Sequence, residues 1–385
     1  MQQKGSQSRG VAVVVGALDN TTALSGVRAL AAAGWQAHAV GHGDSRMLRS
    51  SRAVRSVHRI CAPSEDPTAF VQSVRAALQA LDAPVVLMAG DAELVALSSS
   101  NDAFLASCGV PDAQVVAAVL DKKRLADAAA EVGLATPQLW AGTEGLPAVV
   151  KAALHYKDGR HEVRWEARVV RTSGGLRQAM DEAEVAGVPV VVQQFVRGSL
   201  MALNLVLDRH GTSVARAQQM TSTIWPRDAG RSARAVTVPV DDKLAAACGQ
   251  LLAGAGWYGL VQLQFLLPAG GKPVLIDVNP RLYGSVALAV AAGSALPDLA
   301  ARVVRGEQVP AVPDARPGVR YRWLEGELRA ALAGPARGRD LVSALAPARM
   351  RVGPVWDALD PLPALVECWN LAGRGLARRR GANRR

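Results

Sequence analysis

Apolar and polar positions follow two different periods along the first hundred residues. Val11–Val15 is a short valine-rich run, and Thr21–Ala33 repeats apolar residues at helical spacing before a glycine. The same two patterns recur downstream, where they predict strands at Gln36–Val40, Val54–Ile60 and Pro84–Met88 and a helix at Pro67–Leu81. Strands that alternate with helices in this way are typical of a parallel, doubly wound sheet, and this region is therefore predicted to be α/β.

The pattern changes near Asp121. An amphipathic helix is predicted from Asp121 to Gly133, and Pro147–Lys151 follows as a short strand that ends on a lysine. Alternating segments further on predict strands at Glu162–Arg171, Val188–Phe195, Ala202–Leu207, Ser213–Met220, Leu260–Leu267 and Pro273–Val278, and helices at Ser173–Ala186 and Asp241–Ala255. Hairpin turns between these strands favour a mostly antiparallel α+β region, which is a different domain from the first.

Composition limits the class of protein. The chain has 385 residues, of which half are hydrophobic and a fifth are charged, so we expect two or three packed units rather than a disordered chain. No uncharged apolar run is long enough to form a membrane-spanning helix. The four cysteines are scattered and the first residues are polar, so we expect no disulfide scaffold, no zinc cluster, no signal peptide and a cytoplasmic location.

The net charge of +11 is concentrated at the C-terminus. Six arginines fall within the last twelve residues, and subtracting them leaves +5 for the rest of the chain. Aromatic residues are not interleaved with these arginines, so nucleic acid is not expected as a partner. Leu362–Leu376 places apolar residues at mostly helical spacing just before them. This stripe either packs on the body of the protein or, with the basic tail, makes peripheral contact with an anionic membrane.

Two consecutive predicted strands carry polar side chains at alternate positions. Gln262 and Gln264 share one face of the first strand, and Asp277 and Asn279 share one face of the second. If the strands pair, oxygens of these side chains converge, and Mg²⁺ prefers oxygen ligands that it shares with phosphate. Arg281 follows directly and is suited to hold a phosphate oxygen. A polar, half-exposed hairpin is the alternative, but the combination favours a phosphate–metal site.

Two lysines occupy positions where an anionic ligand would stabilise them. Lys151 ends an apolar strand, and Lys122 stands in the first turn of a predicted helix, where the helix dipole disfavours positive charge. An anionic ligand would explain both positions. Simple exposure to solvent is the alternative for both, and for a lone lysine at a strand end it is the more ordinary one.

These segments together resemble the ATP-grasp superfamily, over roughly residues 50–310. The local likeness is to the large subunit of carbamoyl phosphate synthetase, to biotin carboxylase and to small carboxylate–amine ligases. The resemblance is carried by five motifs, namely Asp121-Lys122 before a helix, Pro147–Lys151, Val191–Gly198, Gly259–Phe265 and Asp277–Arg281.

The resemblance implies a fold and a set of site residues. A Rossmann-like preATP-grasp domain at 1–118 would precede a two-lobed ATP-grasp domain at 119–310, with a small lobe at about 119–192 and a large lobe at about 193–310. ATP with Mg²⁺ or Mn²⁺ would lie between the lobes, and Phe195 and Val196 would pair with adenine through their backbone. The residues implied for the nucleotide are Lys122, Lys151, Gln193, Gln194, Phe195 and Val196, for the metal Gln264, Asp277 and Asn279, and for catalysis Lys151 and Arg281.

The activity that the resemblance implies is carbon–nitrogen ligation. ATP would activate a carboxylate as an acyl phosphate, which a small-molecule amine or similar nucleophile would then attack. Gln194 and Gln264 stand where most members carry acids, and Leu200 stands where many carry a ribose-binding acid. These positions keep a second interpretation open, namely an ATP-binding protein that has lost its chemistry and now regulates or scaffolds.

Substrate contacts are predicted in two places. An arginine-rich stretch at Thr221–Arg234 lies between predicted strands, and arginine forks suit a carboxylate or a phosphate. The candidates are Arg227, Arg231, Arg234, Tyr283 and Ser285. A solvated loop for the arginines and core packing for the last two are equally good alternatives.

The C-terminal region completes the predicted organisation. From about Pro310 the chain is rich in proline, arginine, alanine and glycine. We expect a helical appendage at 311–375 and a disordered basic tail at 376–385.

Overall fold

The computed structural model describes residues 9–140, 142, 145–153, 156–157, 161–162, 165, 167–227, 230–334, 339, 341–342 and 351–370. The predicted basic tail at 376–385 lies outside these residues. Within them, no helix is both long and apolar enough to cross a bilayer.

The first unit is a parallel sheet covered by helices. Its elements are β1 (Val11–Ala17), α1 (Thr21–Ala32), β2 (Gln36–His42), α2 (Arg46–Arg49), β3 (Val57–Arg59), α3 (Pro67–Gln79), β4 (Val85–Met88), α4 (Asp91–Ser98), α5 (Ala103–Ser107) and α6 (Ala113–Leu120). The strand order is β3-β2-β1-β4, and every neighbouring pair is parallel. Asn20 and Asp66 cap α1 and α3 by accepting hydrogen bonds from backbone N–H groups. The parallel α/β sheet predicted from the alternating pattern is confirmed.

A small antiparallel sheet forms the second unit. Its elements are α7 (Lys122–Glu131), β5 (Ala148–Ala152), β6 (Tyr156–Lys157), β7 (His161–Glu162), β8 (Arg168–Val170), α8 (Ser173–Val185) and β9 (Val190–Gln194). The order is β8-β5-β9, and β6 pairs with β7 separately. Ala148, Val150, Val170 and Ala179 form a small core of their own beneath α8. Because alternate residues of β5 are buried, the lysine at 151 lies on the opposite face from this core.

A larger sheet forms the third unit. Its elements are β10 (Ser199–Leu207), β11 (Ser213–Trp225), β12 (Arg231–Val238), α9 (Asp242–Gly254), β13 (Gly259–Leu267), β14 (Val274–Asn279), α10 (Val286–Ala291), α11 (Leu296–Val304), β15 (Arg320–Arg322), α12 (Leu324–Leu332) and β16 (Arg351–Val352). The order is β14-β13-β10-β11-β12-β15-β16, antiparallel except for the last pair. The predicted α+β middle region is therefore confirmed.

Two segments differ from the secondary structure expected of them. Thr221–Arg234, predicted to lie between strands with a solvated loop as one alternative, is the distal part of a hairpin, since β11 extends to Trp225 and β12 begins at Arg231. The buried residues of β12 are the small Ala233, Ala235 and Thr237, and Arg234 stands between the first two, so the strand lacks the usual hydrophobic signal. Residues 311–375, predicted as a helical appendage, also supply β15 and β16 to the large sheet. Tyr321 of β15 is buried against Ala235, which fixes that strand at the sheet.

Two hydrophobic cores hold the large sheet against the first unit. One core joins Val13 of β1 to Leu203 and Leu263 of the large sheet, with α9 covering the same face. The other joins residues of β1 and α1 to Val206, Leu260 and α11 on the opposite face. Because each core contains residues of both units, burial of apolar surface fixes the position of the large sheet relative to the first unit.

The chain returns to the first unit near its end. Asp360 accepts hydrogen bonds from Arg28 Nε at 2.9 Å, from Ser51 Oγ at 2.5 Å and from the Arg52 backbone N–H at 3.0 Å. Arg28 Nη1 also donates to the Val355 carbonyl at 2.7 Å. Residues 362–370 are helical beyond this point. The segment 351–370 is therefore fastened to α1 and to the turn after α2.

Candidate functional site

The strand pair β13–β14 presents the predicted oxygen ligands on one face. Gln264 lies directly opposite Asp277, and Gln262 lies opposite Asn279. The Gln264 Nε2 group donates to Gln262 Oε1 at 3.2 Å, and Gln262 Nε2 donates to Asn204 Oδ1 at 3.0 Å. This row of amides extends the polar face across β10, and strand alternation is sufficient to place it there.

Two lysines approach this face from the second unit. Lys122, the first residue of α7, places Nζ 3.0 Å from Asp277 Oδ1, and its side chain is buried. Asp277 therefore explains the unfavourable position of Lys122 at a helix N-terminus. Lys151 Nζ donates to the Ile276 carbonyl at 3.0 Å. The strand β14 is thus held by both lysines that the sequence analysis selected.

Lys151 has an unusual protonation equilibrium. Burial lowers its pKa to about 7, the charge of Lys122 adds to this fall, and Asp277 opposes it. An ammonium group that loses its proton this readily lacks sufficient negative charge around it. A polyanionic ligand would supply that charge and restore the protonated form.

Arg281 uses four of its five N–H groups within the protein. Nε and Nη2 donate to the two carboxylate oxygens of Asp91 at 2.6 and 2.9 Å, and Nη2 also donates to Asn279 Oδ1 at 2.8 Å. Nη1 donates to the Leu282 carbonyl at 3.0 Å. At most one N–H group, on Nη1, is left for a ligand. Arg281 therefore presents a fixed positive charge with at most one bond, rather than a free guanidinium fork.

Asp91 is a site residue that the sequence analysis missed. It is the first residue of α4, three positions after β4 ends at Met88. The Leu282 N–H donates to the Met88 carbonyl at 2.9 Å, so the contact between Asp91 and Arg281 lies where the first unit meets the large sheet. A carboxylate at the carboxyl end of a parallel strand was an available signal, because ligands bind at that edge. Its partner, 190 positions away, could not be read from the sequence.

A second carboxylate of α4 is also buried beside this contact. The Glu93 side chain is 4% exposed, and its Oε1 lies 2.8 Å from His42 Nε2 at the end of β2. Asp91 and Glu93 therefore stand on the first turn of one helix, and each is engaged by a basic side chain. This arrangement concentrates charge at the carboxyl edge of the parallel sheet.

The predicted adenine-binding residues lie in the connection between the small and large sheets. Gln193 is buried, and Gln194, Phe195 and Val196 are half-buried at and after the end of β9. The Gln194 N–H donates to the Gln138 carbonyl at 2.9 Å, which fixes the end of β9. Adenine pairing by the backbone that follows stays a prediction.

The predicted substrate arginines are mostly engaged within the protein. Arg231 stacks on the Trp323 ring, with the guanidinium carbon 4.7 Å from the ring centroid. Arg234 pairs with the buried carboxylate of Glu327. Arg227, by contrast, is exposed at the turn of the hairpin. The structure therefore does not bring the three arginines together as one site.

Tyr283 and Ser285 occupy different environments. Tyr283 is buried within a hydrophobic core, where packing accounts for its position. Burial raises the pKa of its hydroxyl well above the ordinary value. Ser285 Oγ donates to Gln219 Oε1 at 3.1 Å, on a strand of the same sheet as Gln264. A role for either in substrate binding stays a prediction.

The residues present fit a magnesium ion that is shared with phosphate. Among the described residues, no three carboxylate, imidazole or thiolate side chains converge on one point. The predicted ligands are one carboxylate, Asp277, and two amide oxygens, of Gln264 and Asn279. Asp277 and Asn279 already accept hydrogen bonds from Lys122 and Arg281. Such a face suits Mg²⁺ only if phosphate oxygens complete the coordination.

One family matches part of the sequence. Residues 199–327 match a family described as ATP-grasp in the biosynthetic pathway with Ter operon. The match covers the large sheet from β10 to β15, including the face that carries Asp277 and Asn279. No curated protein matches the chain in sequence.

Several solved structures have a similar fold over most of the chain. An L-amino acid ligase from Bacillus licheniformis superposes with a TM-score of 0.57 at 14% identity, over 78% of this chain and 75% of that one. The biotin carboxylase domain of a Hydrogenobacter thermophilus 2-oxoglutarate carboxylase, in complex with MgADP, ADP and bicarbonate, gives 0.59 at 15% identity over 79% and 71%. An N5-carboxyaminoimidazole synthetase from Staphylococcus aureus, complexed with ADP, gives 0.56 at 12% identity over 79% of both chains.

Proposed function

We propose that this chain, which has the ATP-grasp fold, is an ATP-dependent ligase that activates a carboxylate as an acyl phosphate for attack by an amine. The observation that carries the proposal is the convergence of Lys122, Lys151, Asp277 and Arg281 on one face of the large sheet. Lys122 and Arg281 are cationic, and Lys151 becomes cationic when it takes up a proton. A triphosphate fits this balance of charge better than a neutral ligand does.

Each charged group has a separate part in the proposed reaction. Lys122 and Lys151 come from the second unit and Asp277 from the large sheet, so a triphosphate between them would contact both lobes. Lys151 is protonated when the triphosphate binds and then offsets its charge. Positioning and neutralisation of charge are the main contributions that a protein makes to phosphoryl transfer.

The proposed chemistry has two steps. A carboxylate oxygen attacks the γ-phosphorus, the bond to the β,γ-bridging oxygen breaks, and ADP leaves. The amine nitrogen then attacks the acyl carbon, phosphate leaves with the bonding electrons, and the nitrogen loses a proton. The fixed charge of Arg281 lies beside Asn279, where it would stabilise the phosphoryl group during transfer.

A magnesium ion would be held by Gln264, Asp277 and Asn279, where it would offset the charge of the phosphate oxygens. Asp277 would then be shared between the ion and Lys122. Because only one of the three residues is charged, binding of the ion would depend on the nucleotide. The amide at position 264 still offers an oxygen to the metal.

The names of the structural neighbours support both parts of this proposal, nucleotide binding and ligation. The Hydrogenobacter domain is a complex with MgADP and the Staphylococcus synthetase a complex with ADP, and the Bacillus protein is an L-amino acid ligase. Amino acids are therefore the first carboxylates and amines to test. All of these likenesses are below 20% in identity, so the substrates themselves must be found by experiment.

The direct test is product formation. The protein is incubated with MgATP and pooled amino acids, ADP and phosphate are measured, and condensed products are sought by mass. We expect ADP in a one-to-one ratio with a new amide, and loss of both in Asp277→Ala. Asp44→Ala, which removes an exposed acid paired with Arg46, is the matched control and should retain activity. ATP binding without ADP or product formation across the pool would favour the regulatory or scaffold alternative.

A further inference from the structure

The last described segment of the chain exposes a concentrated apolar surface. Its five large side chains, which we call the C-terminal apolar surface, are Trp356, Leu359, Leu362, Leu365 and Trp369, with exposed fractions of 64, 81, 50, 61 and 76%. Singly exposed apolar residues are ordinary, but such a cluster within fourteen residues marks an interaction site. Leu362, Leu365 and Trp369 lie at helical spacing within the helical stretch 362–370, so they share one face.

This surface is held rigidly on the protein. Asp360, in its middle, is buried and accepts hydrogen bonds from Arg28, Ser51 and the Arg52 backbone. Arg52 Nη1 also donates to the Leu359 carbonyl at 3.0 Å. Val366, on the other side of the helical stretch, packs against a hydrophobic core. The exposed side chains are therefore presented on a fixed support, on the first unit and not at the nucleotide face.

The sequence that follows this surface is strongly basic. Residues 371–385 contain six arginines and no acidic residue. A positive charge of this size next to exposed leucine and tryptophan is the combination that binds anionic lipid. The apolar side chains enter the headgroup boundary while the arginines pair with the headgroups. Tryptophan in particular is enriched at that boundary.

Charge and side-chain chemistry favour lipid over other occupants. A second copy of the chain would bring a second set of six arginines to the same place, and the like charges would repel each other. Nucleic acid would use aromatic rings for stacking, but three of the five exposed side chains are leucine. Leucine and tryptophan are well suited to the acyl and headgroup layers of a bilayer.

We propose that the C-terminal apolar surface and the basic tail dock this protein on an anionic membrane surface. Docking would hold the first unit against the lipid without a spanning segment. It would place the enzyme near a membrane-held or membrane-released substrate. The proposal does not depend on the proposed ligase activity, because the described part of the docking surface is held on Arg28, Ser51 and Arg52 of the first unit.

Co-sedimentation of the full chain with vesicles tests the proposal. We expect pelleting with vesicles of phosphatidylglycerol and phosphatidylcholine, little pelleting with phosphatidylcholine alone, and weaker binding at high salt. Trp356→Ser/Trp369→Ser should reduce binding by roughly tenfold or more, and each arginine of the tail replaced by glutamine by on the order of fivefold. Val185→Ser, which removes an exposed apolar residue of α8, is the matched control and should bind as wild type.

Three results would overturn the proposal. The first is a wild-type chain that stays in the supernatant at low salt, and the second is a tryptophan double variant that binds as tightly as wild type. The third is a lipid-free dimer that the double variant abolishes, which would assign the surface to a second copy. Circular dichroism of each variant shows whether it is folded. ADP formation, measured without lipid, remains a separate readout of the proposed function.

Discussion

Lys151 links the protonation state of the site to its ligand. Its pKa of about 7, lowered chiefly by burial and further by Lys122, means that the free side chain is largely neutral above pH 7. A bound triphosphate would raise this pKa, so binding above pH 7 takes up a proton. The affinity for the triphosphate is therefore highest below about pH 7, where Lys151 is already protonated, and it falls as the pH rises above 7.

The corresponding experiment follows affinity for a MgATP analogue between pH 7.5 and 9 by calorimetry. Wild type should lose up to about tenfold in affinity per pH unit and should take up close to one proton, seen in buffers of different ionisation enthalpy. Lys151→Met should bind more weakly and lose most of this pH dependence. A wild-type affinity that stays constant over the range would show that Lys151 does not contact the nucleotide.

Asp91 determines where the Arg281 guanidinium can lie. It accepts from both Nε and Nη2, and without it the arginine keeps only its contacts with Asn279 and the Leu282 carbonyl. Asp91→Asn keeps the size of the side chain, but an NH₂ group, which cannot accept a hydrogen bond, replaces one of the two carboxylate oxygens that accept from Arg281. We expect a loss of roughly 10- to 100-fold in kcat for ADP formation, with the analogue Kd changed less than about threefold.

The exposed pair of Asp44 with Arg46 is the matched control for this substitution. Asp44→Asn removes an ion pair of the same chemistry in which the Asp44 side chain is 35% exposed and the Arg46 side chain 64% exposed. It should leave kcat for ADP formation and the analogue Kd unchanged. A rise in Km for ATP with kcat preserved in Asp91→Asn would mean that Arg281 contributes to uniform binding instead. Restored kcat in Asp91→Glu would support the positioning role.

Gly198, just before β10, lies close to the backbone at the end of β13. A Cβ atom built on Gly198 would lie 2.8 Å from the backbone carbonyl of Leu267, just before β10 pairs with β13. Backbone cannot move aside as the end of a flexible side chain can. Gly198→Ala should therefore displace the start of β10 and, with it, the connection that carries Phe195 and Val196.

Urea unfolding measures this effect. We expect Gly198→Ala to lower the free energy of unfolding by about 1–3 kcal/mol, since overpacking of a tight contact costs about that much. Gly249→Ala, in the interior of α9 with open space at its Cβ position, should be neutral or stabilising by up to about 1 kcal/mol. Equal stability of Gly198→Ala and wild type would show that the two strands separate easily.

Side-chain periodicity explains which elements could be predicted. The valines of β1 and the alternating polar residues of β13 and β14 reveal their secondary structure and their shared face, because both depend on neighbours in sequence. The strand β12 was not predicted because its buried positions, Ala233 and Ala235, are small. Such residues give little hydrophobic contrast with Arg234, which lies between them.

Contacts between residues far apart in the chain could not be predicted from the sequence. Lys122 and Lys151 were selected as candidates, but their contacts with Asp277 and the Ile276 carbonyl depend on packing of the second unit on the large sheet. The pair Asp91–Arg281 joins residues of two units. Substrate arginines were predicted by residue type alone, and the structure places Arg231 and Arg234 in contacts with Trp323 and Glu327.

The segment 351–370 is attached to the first unit through the buried carboxylate of Asp360. Burial acts to raise the pKa of Asp360, but hydrogen bonds from Ser51, Arg52 and Arg28 outweigh it, and the pKa is lower than the ordinary value of 3.8. Because the folded-state pKa is the lower one, the stabilisation is present above pH 3.8. It is lost as the pH falls through the folded-state pKa.

Removal of this carboxylate should free the segment. We expect Asp360→Ala to lower the free energy of unfolding by about 2–4 kcal/mol, because Arg28 Nε, Ser51 Oγ and the Arg52 N–H lose their carboxylate acceptor. Hydrogen exchange should quicken first in residues 351–370, and the nucleotide face should keep its protection. Asp357→Ala, on the same segment and half-buried, is the control. Unchanged exchange in Asp360→Ala would show that apolar packing alone holds the segment.

The proposed function depends on a nucleotide site between the second unit and the large sheet. Calorimetric titration with a non-hydrolysable ATP analogue, with and without Mg²⁺, tests that site most directly. We predict metal-dependent binding by wild type, and a loss of at least tenfold in affinity together with the metal dependence in Asp277→Ala/Asn279→Ala. Equal affinity of the double variant and wild type, with the same response to Mg²⁺, would contradict the site.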